Sequence, residues 1–205
     1  MRLRYDKQAI DKLLNSKYLI KDNFPIILNE TDIVEIGMGK GEMIAELARI
    51  NPNKKFYGFE KYPTVAAKVL NLIDKYKLTN LFIIVGDAGN LLNYFQGNLE
   101  TIWLTFSDPW PKARHEKRRL TYKLFLDQYK QIMNEDSLLK LKTDNDFFYN
   151  YSIDSFLNNG WKIIANGTDL HKSNYSSDNI MTGYEKKWIS LNKNINFIFA
   201  KKMKN

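Results

Sequence analysis

From Ile33 to Ala200 the chain alternates short apolar runs, rich in β-branched and aromatic residues, with longer stretches whose apolar positions recur every three to four residues. That alternation predicts an α/β domain with a largely parallel sheet, because each parallel strand needs a helical crossover before the next. Ile33–Ile36, Lys55–Phe59 and Leu81–Val85 read as the first three strands, with helices over Glu42–Ile50 and Thr64–Tyr76 between them. Asn51 and Pro52 close the first helix, and Val65, Val69, Leu72 and Ile73 form the buried face of the second. Strands at Thr101–Phe106, Ser137–Lys142, Trp161–Ala165 and Ile195–Ala200, with helices at Thr121–Met133 and Phe147–Leu157, complete an expected seven-stranded, mostly parallel sheet with helices on both faces. His171–Asp178 is polar and predicts a loop. Neither repeats nor linkers divide the chain, so one domain is expected over residues 1–205: an N-terminal segment 1–30 and a catalytic core 31–205.

Composition narrows the chemistry. Apolar residues make up 44% of the chain, yet no apolar run approaches the roughly 18 residues of a membrane span. Met1–Asp11 is mixed and charged, unlike a secretory signal, so a soluble, cytoplasmic protein is expected. With no Cys and only His115 and His171, neither disulfides nor a transition-metal centre is expected. The formal charge of +8 fits a polyanionic partner, and equally a lysine-rich solvated surface; the clustering of charge has to decide.

Directly after the first strand comes Glu35-Ile36-Gly37-Met38-Gly39-Lys40-Gly41, opening the next helix. Glycines there let the backbone turn sharply and approach a ligand. Glu60 closes the second strand and Asp87 the third, and Asp108 follows the fourth. Ligands of open α/β sheets lie outside the carboxyl ends of the strands, so Glu35, Glu60, Asp87 and Asp108 should converge on one crevice. Four acids suit a cation such as S-adenosylmethionine, with its amino group and sulfonium, better than a dinucleotide pyrophosphate. The plainer reading is that each acid faces water or caps a helix.

The segment from Phe106 through Ser107-Asp108-Pro109-Trp110-Pro111-Lys112 sets two prolines around a Trp, which restricts the loop and holds Asp108 at the mouth of the crevice. Trp110 either plugs the sheet edge or offers a face to a base. Lys112, Arg114, His115, Lys117, Arg118 and Arg119 then place five fixed cations and one titratable group within eight residues. Such a run is either a solvated face or a grip on a phosphate backbone beside the crevice.

These blocks, with Gly-Phe-Glu at 58–60, Gly-Asp-Ala at 86–88, Lys-Thr-Asp at 142–144 and Thr-Gly-Tyr-Glu at 182–185, resemble the tRNA (guanine-N7)-methyltransferases in their single-chain bacterial form, over nearly the whole chain. The resemblance implies a Rossmann-like class I fold that uses S-adenosylmethionine. It implies donor binding by Glu35, Gly37, Gly39, Glu60, Asp87, Ala88 and Asp108, with Asp108 the catalytic residue. Lys112, Asp144, Thr182, Gly183, Tyr184 and Glu185 would meet the target nucleotide, and Arg114, His115, Glu116, Lys117, Arg118 and Arg119 the RNA. The implied substrate is the variable-loop guanine of tRNA, with no obligatory protein partner, the chain acting as a monomer or homodimer. Two departures stand out: the segment before the first strand is short, and Ser107 occupies a position where many relatives carry Pro. Two rivals remain open. A Rossmann oxidoreductase is disfavoured by the 37–41 spacing and the lack of a proton relay, and a non-catalytic RNA-binding module would not bind the methyl donor.

Overall fold

The computed structural model describes residues 6–204; residues 1–5 of the N-terminal segment and Asn205 lie outside the described residues. The chain begins with α1 (Lys7–Leu14), capped by Asp6, whose carboxylate accepts the Ala9 N–H at 3.1 Å. Next come β1 (Leu19–Ile20), β2 (Ile26–Leu28), β3 (Ile33–Ile36), α2 (Glu42–Ile50), β4 (Phe56–Glu60), α3 (Pro63–Ala66), α4 (Val69–Tyr76) and β5 (Leu81–Val85). They are followed by β6 (Phe95–Gly97), β7 (Leu99–Thr105), α5 (Lys123–Gln131), β8 (Met133–Thr143), α6 (Asp146–Asn158), β9 (Trp161–Gly167), α7 (Gly183–Ser190) and β10 (Asn196–Lys202). Short 3-10 turns span Ala88–Asn93, Ala113–Arg118 and Leu170–Lys172.

The main sheet has the order β1-β5-β4-β3-β7-β8-β10-β9, parallel from β1 to β8 and antiparallel where β10 joins β8 and β9. Among the described residues it has eight strands, not the seven expected. The addition is β1, whose two residues pair with Ile83 and Ile84 of β5 and are too short to show an alternation. A separate parallel pair, β2 with β6, was not anticipated either.

Alternation along the strands sorts the core into two layers. Val34, Ile36, Tyr57, Phe59, Ile102 and Leu104 pack with Phe125 and Tyr129 of α5 and Phe148 and Phe156 of α6. Ile33, Phe56, Ile83 and Trp103 face the other way, onto Leu13 of α1, Ile44 and Ala48 of α2, and Ile73 of α4. Each large apolar side chain so buried contributes about 1.5 to 3 kcal/mol relative to exposure. Among the described residues no helix is long and apolar enough to cross a membrane.

Two helices differ from their expected spans for visible reasons. The stretch 64–76 divides because Lys68, Leu70 and Asn71 donate to carbonyls three residues back, tightening the chain between α3 and α4. The helix expected over Thr121–Met133 is shorter at both ends: the buried Thr121 hydroxyl pairs with Ser152 at 2.9 Å, while Met133 already belongs to β8. β3 lies at the point where the strand order reverses, with β4 and β5 on one side and β7 and β8 on the other. The turns after β3 and β7 therefore diverge and leave a crevice between them, which is where doubly wound sheets bind ligands.

Candidate active site

The turn after β3 is built by glycines with φ of 74°, 57° and 73° at Gly37, Gly39 and Gly41, a region costly to residues with a Cβ. At Gly41 a Cβ would also stand 2.3 Å from Val69, because α4 presses directly on the turn. The Gly37 and Met38 N–H groups donate to the Phe59 carbonyl at 2.8 and 3.1 Å, drawing the turn over the end of β4. There the Glu60 carboxylate accepts the Gly39 N–H on Oε2 and the Tyr62 N–H on Oε1, each at 3.0 Å. Burial raises its pKa, the backbone donors oppose that rise, and the charge of Asp108 adds to it.

Glu35 points from β3 into the α2 side of the sheet and is fully buried. Burial pushes its carboxyl up to about 8, against Thr105 and the Lys142 ammonium, and its Oε2 has no hydrogen-bond partner. Asp87 is exposed; it accepts the Gly89 N–H at 2.9 Å, and the Lys61 ammonium 2.7 Å away holds its carboxyl below the usual range. Ala88 is fixed from α5, since Gln128 donates to its carbonyl at 3.2 Å and accepts the Leu91 N–H at 2.8 Å. Gln128 went unnoticed in the sequence, where a lone Gln inside an amphipathic helix carries no signal.

After β7 the chain turns through Phe106 at φ 52°, its N–H bonded to the Lys142 carbonyl at 2.9 Å, and leaves Asp108 exposed. Trp110, at φ 41°, is half-buried within its own loop and does not plug the sheet: the Arg118 guanidinium lies 4.9 Å over its ring and His115 meets its edge at 5.6 Å. Burial and the charges of Arg118, Arg114 and Lys112 keep the His115 imidazole below its ordinary pKa. Lys112, Arg114, Lys117 and Arg118 are exposed, and Glu116 is half-buried. Arg119 departs from the expected solvent-facing run: it is 3% exposed and donates from Nε and Nη2 to the Trp110 carbonyl at 3.2 and 3.0 Å.

The 182–185 block divides in the same way. Tyr184 is exposed, packs on Phe106 at 4.9 Å between centroids and sets its hydroxyl 3.4 Å from both Asp144 carboxylate oxygens. Burial raises the Tyr184 pKa, and the charges of Asp144 and Asp108 add to it. Thr182 caps α7 through the Glu185 N–H at 3.1 Å, and Gly183 donates to Glu42 at 2.6 Å. Glu185 is wholly buried. Its oxygens meet the Lys142 ammonium at 2.7 Å and the Asn179 amide at 2.7 Å, with His171 Nε2 at 2.9 Å but not aligned for a hydrogen bond. Thr182 and Glu185 thus build the wall, while Gly183 and Tyr184 face outward.

A family described as "Putative methyltransferase" matches residues 29–198. A tRNA (guanine-N(7)-)-methyltransferase of Mycoplasmopsis agalactiae is 53% identical over 203 residues, covering 98% of this chain and 99% of the relative. The protein of that name from Mycoplasmopsis synoviae is 53% identical over 206 residues, covering 100% of both. Among solved structures, the 16S rRNA methyltransferase KamB superposes with a TM-score of 0.65 at 10% identity, covering 86% of this chain and 89% of that one. An rRNA methylase from Streptococcus thermophilus gives 0.57 at 13% identity over 100% and 99% of the two chains. At those identities the structures speak for the fold alone.

Proposed function

This chain belongs to the tRNA (guanine-N(7)-)-methyltransferase family, and from that membership we propose the reaction its crevice carries out: transfer of a methyl group from S-adenosylmethionine to N7 of a guanine in tRNA, in the variable loop. The observation that supports the reading is the glycine turn and Glu60 held together at the reversal of strand order, the Glu60 carboxylate accepting the Gly39 N–H, with Asp108 exposed on the turn after β7, the strand on the other side of that reversal.

The residues present fit the methyl donor. A buried carboxylate oxygen on Glu35 without a partner is what an incoming ammonium would satisfy, and a Cβ on Gly39 would meet nothing within 4 Å, so that face of the turn is open. Glu60, with two oxygens able to accept more bonds than the two they hold, would take ribose hydroxyls, and Asp87 and Ala88 the base. When bound, S-adenosylmethionine supplies an electrophilic methyl group on a sulfonium centre.

Guanine N7 has a free lone pair at neutral pH, so no residue has to remove a proton; the chain's task is placement and charge. Asp108 would hold the purine edge and stabilise the positive charge that grows on the ring. Tyr184, backed by Phe106 and tied to Asp144, offers an exposed aromatic face to the nucleotide, and Lys112 a cation beside it. Arg114, Lys117 and Arg118 are exposed and would meet the phosphate backbone. The test is incubation with labelled methyl donor and unmodified tRNA, followed by nucleoside analysis. N7-methylguanosine is expected; tRNA bound but unlabelled, or a label on an exocyclic amine, would sink the reading.

A further inference from the structure

Arg119 differs from every other cation in its run. Arg114, Lys117 and Arg118 reach solvent, whereas Arg119 is 3% exposed. Its charge is met by the Trp110 carbonyl oxygen, at 3.2 Å from Nε and 3.0 Å from Nη2, and by two aromatic faces, Tyr151 at 4.2 Å and Phe147 at 4.9 Å from the guanidinium carbon. Tyr151 is itself engaged by the Glu116 side chain. A guanidinium committed in this way from β7 to α6 has left water without reaching toward a phosphate, and such burial is costly unless the contacts it makes serve the fold or the site.

What those contacts hold is a strained stretch. Trp110 sits at φ 41°, a conformation that a bulky side chain adopts only when its surroundings impose it. Pro109 and Pro111 flank it and permit little backbone rotation, so the orientation of the Trp110 carbonyl is carried back to Asp108 two residues away. The Arg119 backbone also fastens the start of α5, with its carbonyl accepting the Tyr122 N–H at 2.8 Å. One residue therefore ties the Asp108 loop to the sheet's helical layer.

We propose that Arg119 is a positioning residue for Asp108 and not an RNA contact: its buried guanidinium, laid on Tyr151 and Phe147, pins the Trp110 carbonyl and through it the aim of the Asp108 carboxylate. The inference rests on the reading of Asp108 as the group beside the purine. Arg119→Met removes the charge and both donors. Arg119→Lys keeps the charge but cannot lie flat on two rings while sending two N–H groups to one oxygen.

The experiment measures the single-turnover rate at saturating tRNA and donor, the salt dependence of tRNA binding, affinity for S-adenosylhomocysteine and thermal stability. Both Arg119 variants should methylate about tenfold or more slowly, since a misplacement near 1 Å can cost up to a hundredfold. Their salt slope and S-adenosylhomocysteine affinity should match wild type, whereas Lys117→Ala should lower the slope by about one unit. Tyr151→Leu, which alters no formal charge, should slow methylation in the same way and add little when combined with Arg119→Lys. That variant decides the matter if Arg119→Met does not fold. A slope lowered by about one in Arg119→Met, full activity in Arg119→Lys, or full activity in Tyr151→Leu overturns the proposal. The reading beneath it is judged apart: wild-type protein that yields no N7-methylguanosine, or Asp108→Asn as fast as wild type, removes that reading whatever Arg119 does.

Discussion

A carboxylate beside a purine can act by charge without ever taking a proton, the role proposed for Asp108, which stands exposed on the turn after β7 with its charge felt by Glu60 and Tyr184. Asparagine keeps the shape and loses the charge. Asp108→Asn should bind donor and tRNA almost as wild type yet methylate roughly 10² to 10³ times more slowly, the scale of losing one preorganised electrostatic group; single-turnover kinetics with parallel binding measurements check it. Glu35 makes a different prediction, about pH. Its folded pKa, near 8, lies above the unfolded value of 4.5, so the native state holds the extra proton between the two. Its contribution to stability is therefore present at low pH and lost as pH rises from 4.5 through 8, with a slope of at most about 1.4 kcal/mol per pH unit. Denaturant unfolding of wild type and Glu35→Gln across that window should show the slope shrinking in the variant. S-adenosylhomocysteine, whose ammonium favours the ionised carboxylate, should bind more tightly as pH climbs toward 8, and a flat affinity profile would take Glu35 out of the donor site.

Among the elements, α7 has the least visible origin and the heaviest dependence on buried charge. Lys142 on β8 and Glu185 on α7 are both wholly buried and 2.7 Å apart, with Asn179 and the Ile180 carbonyl completing the ammonium's shell at 2.9 and 2.6 Å. Desolvation lowers the Lys142 pKa and Glu185 opposes that shift. Lys142→Met should cost about 3 to 5 kcal/mol by leaving Glu185 an unpaired buried charge, and Lys142→Met with Glu185→Leu should recover much of it, as read from urea unfolding. The periodicity of the chain suffices for β3, α2 and β5, whose bounds match the sequence reading to the residue, because β3 and β5 are short, largely apolar runs buried against both layers of core and α2 turns one apolar face to the sheet. It does not suffice for α7: Gly183–Ser190 buries a glutamate where a pattern reader looks for an apolar residue, and Trp188 and Ile189 are only half-buried. The basic run misleads for the same reason, since Arg119 and Arg118 look alike in sequence while one is buried on a carbonyl and the other lies exposed over the Trp110 ring. The glycine turn, Glu60 and Asp108 were legible because turn geometry and strand ends leave marks in residue type; partner choice among like charges does not.

For the molecule as a whole, the charge of +8 becomes a measurable property only through where the cations stand. Arg114, Lys117 and Arg118 form an exposed group beside the crevice, and neutralising all three should reduce the salt slope of tRNA binding by about one unit for each phosphate left without its cation, with S-adenosylhomocysteine affinity unchanged; titrations at several salt concentrations read both. A slope equal to wild type would return the group to an ordinary solvated face. Strand β1 bears on a different hazard, that of chains polymerising. Without it the row of N–H and C=O groups along β5 would be the free margin of a parallel sheet, lined by Ile83 and Ile84 and ready to accept a strand from another molecule. Two residues of β1, with the Tyr18 carbonyl accepting the Ile83 N–H at 2.8 Å, close that margin while being too short to serve as a template themselves. Replacing Leu19 and Ile20 together by Pro, which leaves α1 and its buried Leu13 in place, should therefore keep the crevice yet let the chain gather into soluble aggregates that light scattering detects, and replacing Ile83 with Lys in that variant would bury a charge in the core, so the remedy has to come from an added strand and not from the margin itself.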